Sequence, residues 1–260
     1  MKSVNINKII HILKKRTKRF RLPSVSEISK IWHEPFRVLI SCILSLRTKD
    51  ITTREASKRL FKLADSPRDM LGLSARQIEK AIFPVGFYRV KAKNILSICF
   101  DIIDKFNSKV PDNLDELLTL KGVGRKTANL VLTEGFNKLG VCVDTHVHRI
   151  SNRLRFVSTR NPFETEMSLR KKLPKKFWKE YNTLLVTWGQ NICKPISPLC
   201  SICAVNKLCG RAGVTKSETP RLNSRGIFFM VPTLLRRSEP RPRIPFIHAL
   251  TDVAFWRRGK

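Results

Sequence analysis

Seventeen consecutive residues, CKPISPLCSICAVNKLC, hold Cys193, Cys200, Cys203 and Cys209. No other feature of the chain limits its local fold so tightly. Four thiols this close pair as disulfides, meet at one bound group or stay unliganded, and either of the first two outcomes bends the segment into a compact loop. The opening stretch MKSVNINKIIHILKKRTKRFRL lacks the long apolar core and small-residue cleavage site of a secretory signal, which argues against a disulfide framework and for a metal site. Four thiolates suit either a tetrahedral zinc or a [4Fe–4S] cluster. The spacing is C-x6-C-x2-C-x5-C. A zinc ribbon pairs two C-x2-C knuckles, and only one pair here has that gap, so the pattern leans to iron–sulfur. The other three cysteines, Cys42, Cys99 and Cys142, sit among apolar residues and read as buried thiols.

Charge points to the partner. The 260 residues carry 51 Lys and Arg against 20 Asp and Glu, a formal charge of +31 spread along most of the length. An excess of that size calls for a polyanion, most simply nucleic acid. No apolar run reaches the roughly 18 to 20 residues of a membrane span. The basic N-terminal stretch reads as an amphipathic helix with Ile9, Ile10 and Leu13 inward.

Periodicity predicts an all-α chain. Residues 36–46 are apolar enough for a buried helix, and 53–64, 75–83 and 92–106 show amphipathic spacing. DNLDELLTL offers Asp112 or Asn113 as N-cap. It runs into LKGVGRKTANLVL, residues 120–132, where Gly122 and Gly124 form a turn between two helices and Arg125 and Lys126 open the second. Glycines let backbone approach a ligand, and N–H groups at a helix start bind phosphate, so Leu120, Lys121, Gly122, Val123, Gly124 and Arg125 are candidate DNA-backbone contacts. Locally, Lys126 reads as one more such contact.

VDTHVHRISNRL, downstream, changes that reading. Asp144 stands at a helix start, where a carboxylate is both a common N-cap and favoured in its charged form. A lysine nucleophile needs a neighbour to take its proton, and Asp144 on the next helix would supply one. His146 and His148, two apart on a helix, point to different sides and suit hydrogen bonding better than a metal.

GVGRKTAN, VDTHVHR and the cysteine cluster, in this order, resemble the endonuclease III family, the helix-hairpin-helix iron–sulfur DNA glycosylase/AP lyases. The likeness runs from about residue 8 to 212. It implies a two-lobed fold: a six-helix barrel at 29–138 containing the hairpin at about 112–134, and a second lobe of 1–28 plus 139–212 holding a [4Fe–4S] cluster on Cys193, Cys200, Cys203 and Cys209. By the same resemblance Lys126 is the catalytic lysine, attacking C1′ of a damaged nucleotide in duplex DNA, and Asp144 assists. The base leaves, a Schiff base forms, and β-elimination cuts 3′ to the abasic site. His146 and the basic cluster loop with Lys194 and Lys207 would add DNA contacts.

Three departures separate this chain from the family pattern. Arg47 in SLRTKD stands where a glutamine commonly fills the gap left by a flipped base. Phe87 in VGFYRVKAKN stands where an aliphatic wedge is usual, either stacking on exposed bases or simply packing in the core. Lys121 replaces a common proline. The resemblance implies oxidised pyrimidine in double-stranded DNA as the substrate; the changes at Arg47 and Phe87 keep uracil or thymine opposite guanine open, and a non-catalytic DNA-binding role is the other alternative. A monomer in a prokaryotic cytoplasm, at the nucleoid, is expected, without a membrane. Residues 213–260 read as a poorly ordered basic tail: from 214 onward they carry five prolines and ten Lys and Arg against three Asp and Glu.

Overall fold

A computed structural model describes residues 4–32 and 34–215, with only the backbone of Trp32. The expected tail beyond 215, with its GIFFMVPTLL segment, lies outside the described residues. Among those described there are twelve α-helices and no strand. In chain order they are α1 (Ile6–Thr17), α2 (Ser24–Trp32), α3 (Pro35–Ser45), α4 (Asp50–Leu63), α5 (Pro67–Leu71), α6 (Ala75–Ile82), α7 (Tyr88–Lys105), α8 (Leu114–Thr119), α9 (Arg125–Leu130), α10 (Thr145–Arg153), α11 (Pro162–Lys172) and α12 (Trp178–Asn191). A π-helical turn, Val131–Gly135, extends α9. None of the described helices is long and apolar enough to cross a membrane.

The helix starts follow side-chain chemistry. Ser74 and Gln77 form a reciprocal capping box on α6. Asn113, rather than Asp112, caps α8 by accepting from the Glu116 N–H. Asn161, followed by Pro162, caps α11, and Asp144 caps α10.

Burial divides into two cores. The first is built on α3, whose Val38, Leu39, Ile40, Ile43 and Leu44 are buried, and on Leu60, Ile78, Ile95, Ile98 and Ile102 of α4, α6 and α7. Cys42, Cys99 and Cys142 lie in it as buried thiols, as expected. The second packs Ile9, Ile10 and Leu13 of α1 against Val147 and Ile150 of α10 and Tyr181, Leu185 and Trp188 of α12. Two features bear on the expected lobe boundaries. Helix α2 spans residues 28 and 29 and contributes Val25 to the first core. In the linker before α10, Val141 and Val143 face the second core while Cys142 faces the first. An extended strand of chain alternates its side chains in this way, so the crossover serves both cores at once.

Candidate active site and DNA interface

The glycine turn leaves α8 at Leu120, whose side chain is buried, and closes with the Val123 N–H donating to the Leu120 carbonyl at 3.0 Å. Gly122 takes φ +78°, and a Cβ there would also lie 3.0 Å from Asn94 Nδ2, so conformation and space both demand glycine. Gly124 caps α9 without a side-chain bond and faces open space, and Lys121 is exposed beside it. This leaves the turn's outer face free to meet a phosphate.

Lys126, in the first turn of α9, is half-buried. Behind it lie two neutral thiols: Cys142 Sγ donates to the Lys126 carbonyl at 3.4 Å, and burial pushes Cys42 up to about 12 and Cys142 well above its ordinary value. Asp144 Oδ1 accepts from the Val147 N–H at 2.8 Å, fixing the carboxylate at the start of α10. Cys142 stands two residues before Asp144, so its bond to the Lys126 carbonyl brings the start of α10 against the first turn of α9. Burial, opposed by Asp144, lowers the His146 pKa and favours the neutral ring. An amine and a carboxylate over an uncharged floor can exchange a proton and stabilise a cation formed between them.

His146 and His148 diverge, as their spacing requires. His146 Nδ1 meets Arg149 at 3.1 Å and packs so close to Gly189 that a Cβ there would fall 2.4 Å from it. His148 Nδ1 instead bonds Thr165 Oγ1 at 2.7 Å. Arg125, expected as a phosphate contact, is engaged within the protein. Its guanidinium makes a two-pronged pair with Glu166 at 2.8 and 3.0 Å and stacks on Phe163. Glu166, almost fully buried, also accepts from Arg170 and Asn129. It ties α9 to α11, a role without a signature in the sequence because Arg125 lies 41 residues away.

Arg47 and Phe87 come together. The Arg47 guanidinium lies over the Phe87 ring at 5.6 Å, and both residues adopt left-handed backbone, φ +52° and +57°. Phe87 is 60% exposed, which excludes core packing for it. Beneath them lies Lys91, a buried lysine that sequence reasoning passed over among 51 basic residues.

The four cysteines, all half-buried, line one apolar cavity of about 30 Å³ with Trp188, Ile192 and Leu199. Arg153, itself buried, donates to Cys193 Sγ at 3.4 Å and to the Lys194 and Pro195 carbonyls, shaping the loop. Lys194 and Lys207 project from it, exposed. Among the described residues no cluster of three or more His, Cys, Asp or Glu closes to single-ion geometry. The four thiols border one shared apolar space, a donor set that fits a thiolate-bound group.

An all-helical chain with a glycine hairpin leading into a lysine, and an aspartate-capped helix beside it, defines a class. A family model described as HhH-GPD superfamily base excision DNA repair protein matches residues 40–175, the stretch that contains Arg47, Phe87, the hairpin, Lys126 and Asp144. Endonuclease III of Thermotoga maritima is 48% identical over 176 residues, covering 68% of this chain and 83% of the relative. A solved non-covalent Endonuclease III–DNA complex is 35% identical with a TM-score of 0.70, covering 78% of this chain and 93% of the other. A trapped Endonuclease III–DNA covalent intermediate, an estranged-adenine complex, is 39% identical with a TM-score of 0.65, covering 68% and 83%. The chain belongs to the endonuclease III family of this superfamily.

Proposed function

We propose that this chain is a base excision repair DNA glycosylase with AP lyase activity, that its substrates are oxidised pyrimidines in duplex DNA, and that Lys126 is its nucleophile. The observation that carries the reading is that Lys126 opens α9 directly behind the glycine turn while Cys142, two residues before the α10 cap Asp144, bonds the Lys126 carbonyl. The Lys126 amine adds to C1′ as the C1′–N bond to the base breaks. The base leaves with the bonding electrons and takes up a proton. Asp144 accepts the proton shed by the amine and stabilises positive charge on the sugar. The sugar ring opens to a Schiff base, loss of a C2′ proton expels the 3′ phosphate, and the strand is cut. Reaction requires the nucleotide to be extruded from the stack. The exposed Arg47–Phe87 pair suits the space an extruded base leaves.

Cys193, Cys200, Cys203 and Cys209 would hold a [4Fe–4S] cluster, whose role is to hold the loop bearing Lys194 and Lys207. The barrel and the cluster-bearing lobe would correspond to the two cores. We further propose that the protein acts as a monomer on DNA in a prokaryotic cytoplasm.

Borohydride trapping tests the reading. Three duplexes would carry an abasic site, thymine glycol, and uracil opposite guanine. A covalent adduct with wild type on the first two, and none with Lys126→Ala, is expected. An adduct on the uracil duplex instead of thymine glycol would keep the lysine chemistry and change the substrate. Absence of any adduct, with iron bound, would leave a DNA-binding protein without lyase activity.

A further inference from the structure

Among the described residues Lys91 is the one lysine with its side chain sealed from solvent, at 5% exposure. It lies in the first turn of α7 and its ammonium has three donors. All three are used. Nζ donates to the Leu44 carbonyl at 2.8 Å, to the Leu46 carbonyl, and to Thr48 Oγ1 at 3.1 Å. Leu44 and Leu46 stand at the C-terminal end of α3, where carbonyls lack helical partners and the helix dipole is negative. A cation there is well placed electrostatically. Yet its partners are all neutral oxygens, and burial pushes the Lys91 pKa down to about 8. A basic surface protein has abundant solvated sites for lysine, so a buried one needs a reason.

The reason lies in what the three bonds join. Thr48 Oγ1, held by Lys91, accepts a second bond from the Gly86 N–H at 3.2 Å. Gly86 packs so closely on the other loop that a Cβ would lie 2.7 Å from the Arg47 carbonyl. Residues 46–48 and 84–87 are therefore bolted together through one ammonium, one hydroxyl and one glycine. Each loop then presents a residue in left-handed backbone, Arg47 and Phe87, a conformation unfavourable for a non-glycine residue that persists only when its surroundings impose it. The two side chains stack on each other and stand out from the surface.

We propose that Lys91 is a positioning residue: from beneath, it clamps the end of α3 to the start of α7 so that Arg47 and Phe87 form one preformed wedge for the duplex at the lesion. The inference rests on the glycosylase reading above. It adds that extrusion of the damaged base depends on a group that never touches DNA.

The test compares two reactions of one protein. Base release from thymine glycol requires a paired, stacked nucleotide to be extruded, whereas strand cleavage at a preformed abasic site does not. Under single turnover, Lys91→Met is expected to slow base release about 30-fold and abasic cleavage less than about 3-fold. Thr48→Val, which keeps the buried charge and its two carbonyl partners, is expected to slow base release about 5-fold with the same selectivity. In a Phe87→Ala background the further effect of Lys91→Met should shrink below about 3-fold, because the wedge is already gone. Equal slowing of both reactions, or undiminished slowing in the Phe87→Ala background, would make Lys91 a support of the fold only and overturn the proposal. If Lys91→Met does not fold, the two Thr48→Val rates decide by the same criteria. A wild-type protein that cleaves abasic DNA but shows no Lys91 or Thr48 selectivity defeats the clamp alone. One that reacts with no duplex defeats the glycosylase reading and the clamp together.

Discussion

The core between α3 and α7 is built mainly from helices, whereas the core under α10 and α12 ends at a rim of four cysteines and irregular chain. In the first, even the one buried ammonium is satisfied by protein oxygens. In the second, residues 192–212 contain only two short 3-10 turns, and Cys193, Cys203 and Cys209 form part of the apolar edge. Arg153 organises that edge through carbonyls rather than through a helix packed on it. The contrast is between a core that protein atoms satisfy internally and one whose edge is made of thiols and irregular chain, where, on the proposed cluster binding, loading and local folding would be one event.

Removing a thiol should produce the largest effect. Cys203→Ser is expected to lose iron and to destabilise the second core by about 5 kcal/mol or more, a large part of what a structural metal group supplies. Amide exchange reads this regionally: protection should collapse in α12 and survive in α3. Equal loss in both helices would abolish the distinction between the cores. Leu39→Ala probes the opposite side. Leu39 is fully buried in α3, so truncation should cost about 3 kcal/mol in urea unfolding. Iron content should stay at the wild-type level; its loss would mean that the first core also supports the thiol rim.

The link between the cores comes next in size. Glu166 is buried, but Arg125 and Arg170 keep side-chain exposures of 35% and 28% and can be rehydrated when it is neutralised. Glu166→Gln should therefore cost about 2 kcal/mol, below the 3–5 kcal/mol typical when a fully buried pair is broken. A loss under about 0.5 kcal/mol would show that α9 and α11 are held by apolar packing and that the cores are energetically independent.

What could be foreseen from the chain follows the same line. Helix spans, Asn113 and Asp144 as caps, the positive φ of Gly122 and the gathering of the four cysteines depend on residues within a turn or a short loop of one another, and local pattern encodes them. Helix α5, five residues behind a Ser66 cap, is too short to develop a period. The partners of Lys91, and the Arg125 and Asn129 that hold Glu166, lie about 40 residues away, and the one local partner of Glu166, Arg170, makes an ordinary helical i,i+4 pair that does not mark it as buried. Phe87 could be read as core or as wedge because hydrophobicity is common to both. Its left-handed backbone and exposure separate the two readings, and both arise from how the loops at 46–48 and 84–87 meet.

The smallest predicted effect concerns the first core's ability to close around a charge. Lys91 titrates near 10.5 in the unfolded chain and near about 8 when folded. Below pH 8 both states carry the proton, and the cost of burying it is fully present. Between about 8 and 10.5 the unfolded chain binds a proton that the folded chain has released, so stability rises with pH. Lys91→Met has no such group. The stability of wild type minus that of Lys91→Met should therefore be flat below pH 7 and increase by about 1 kcal/mol between pH 8 and 9, since one proton is worth at most about 1.4 kcal/mol per pH unit. Taking the difference removes every other titration the two proteins share. A difference that falls over this range would mean that the helix end and the three oxygens hold the ammonium more strongly than burial opposes it. The first core would then owe its closure to that charge.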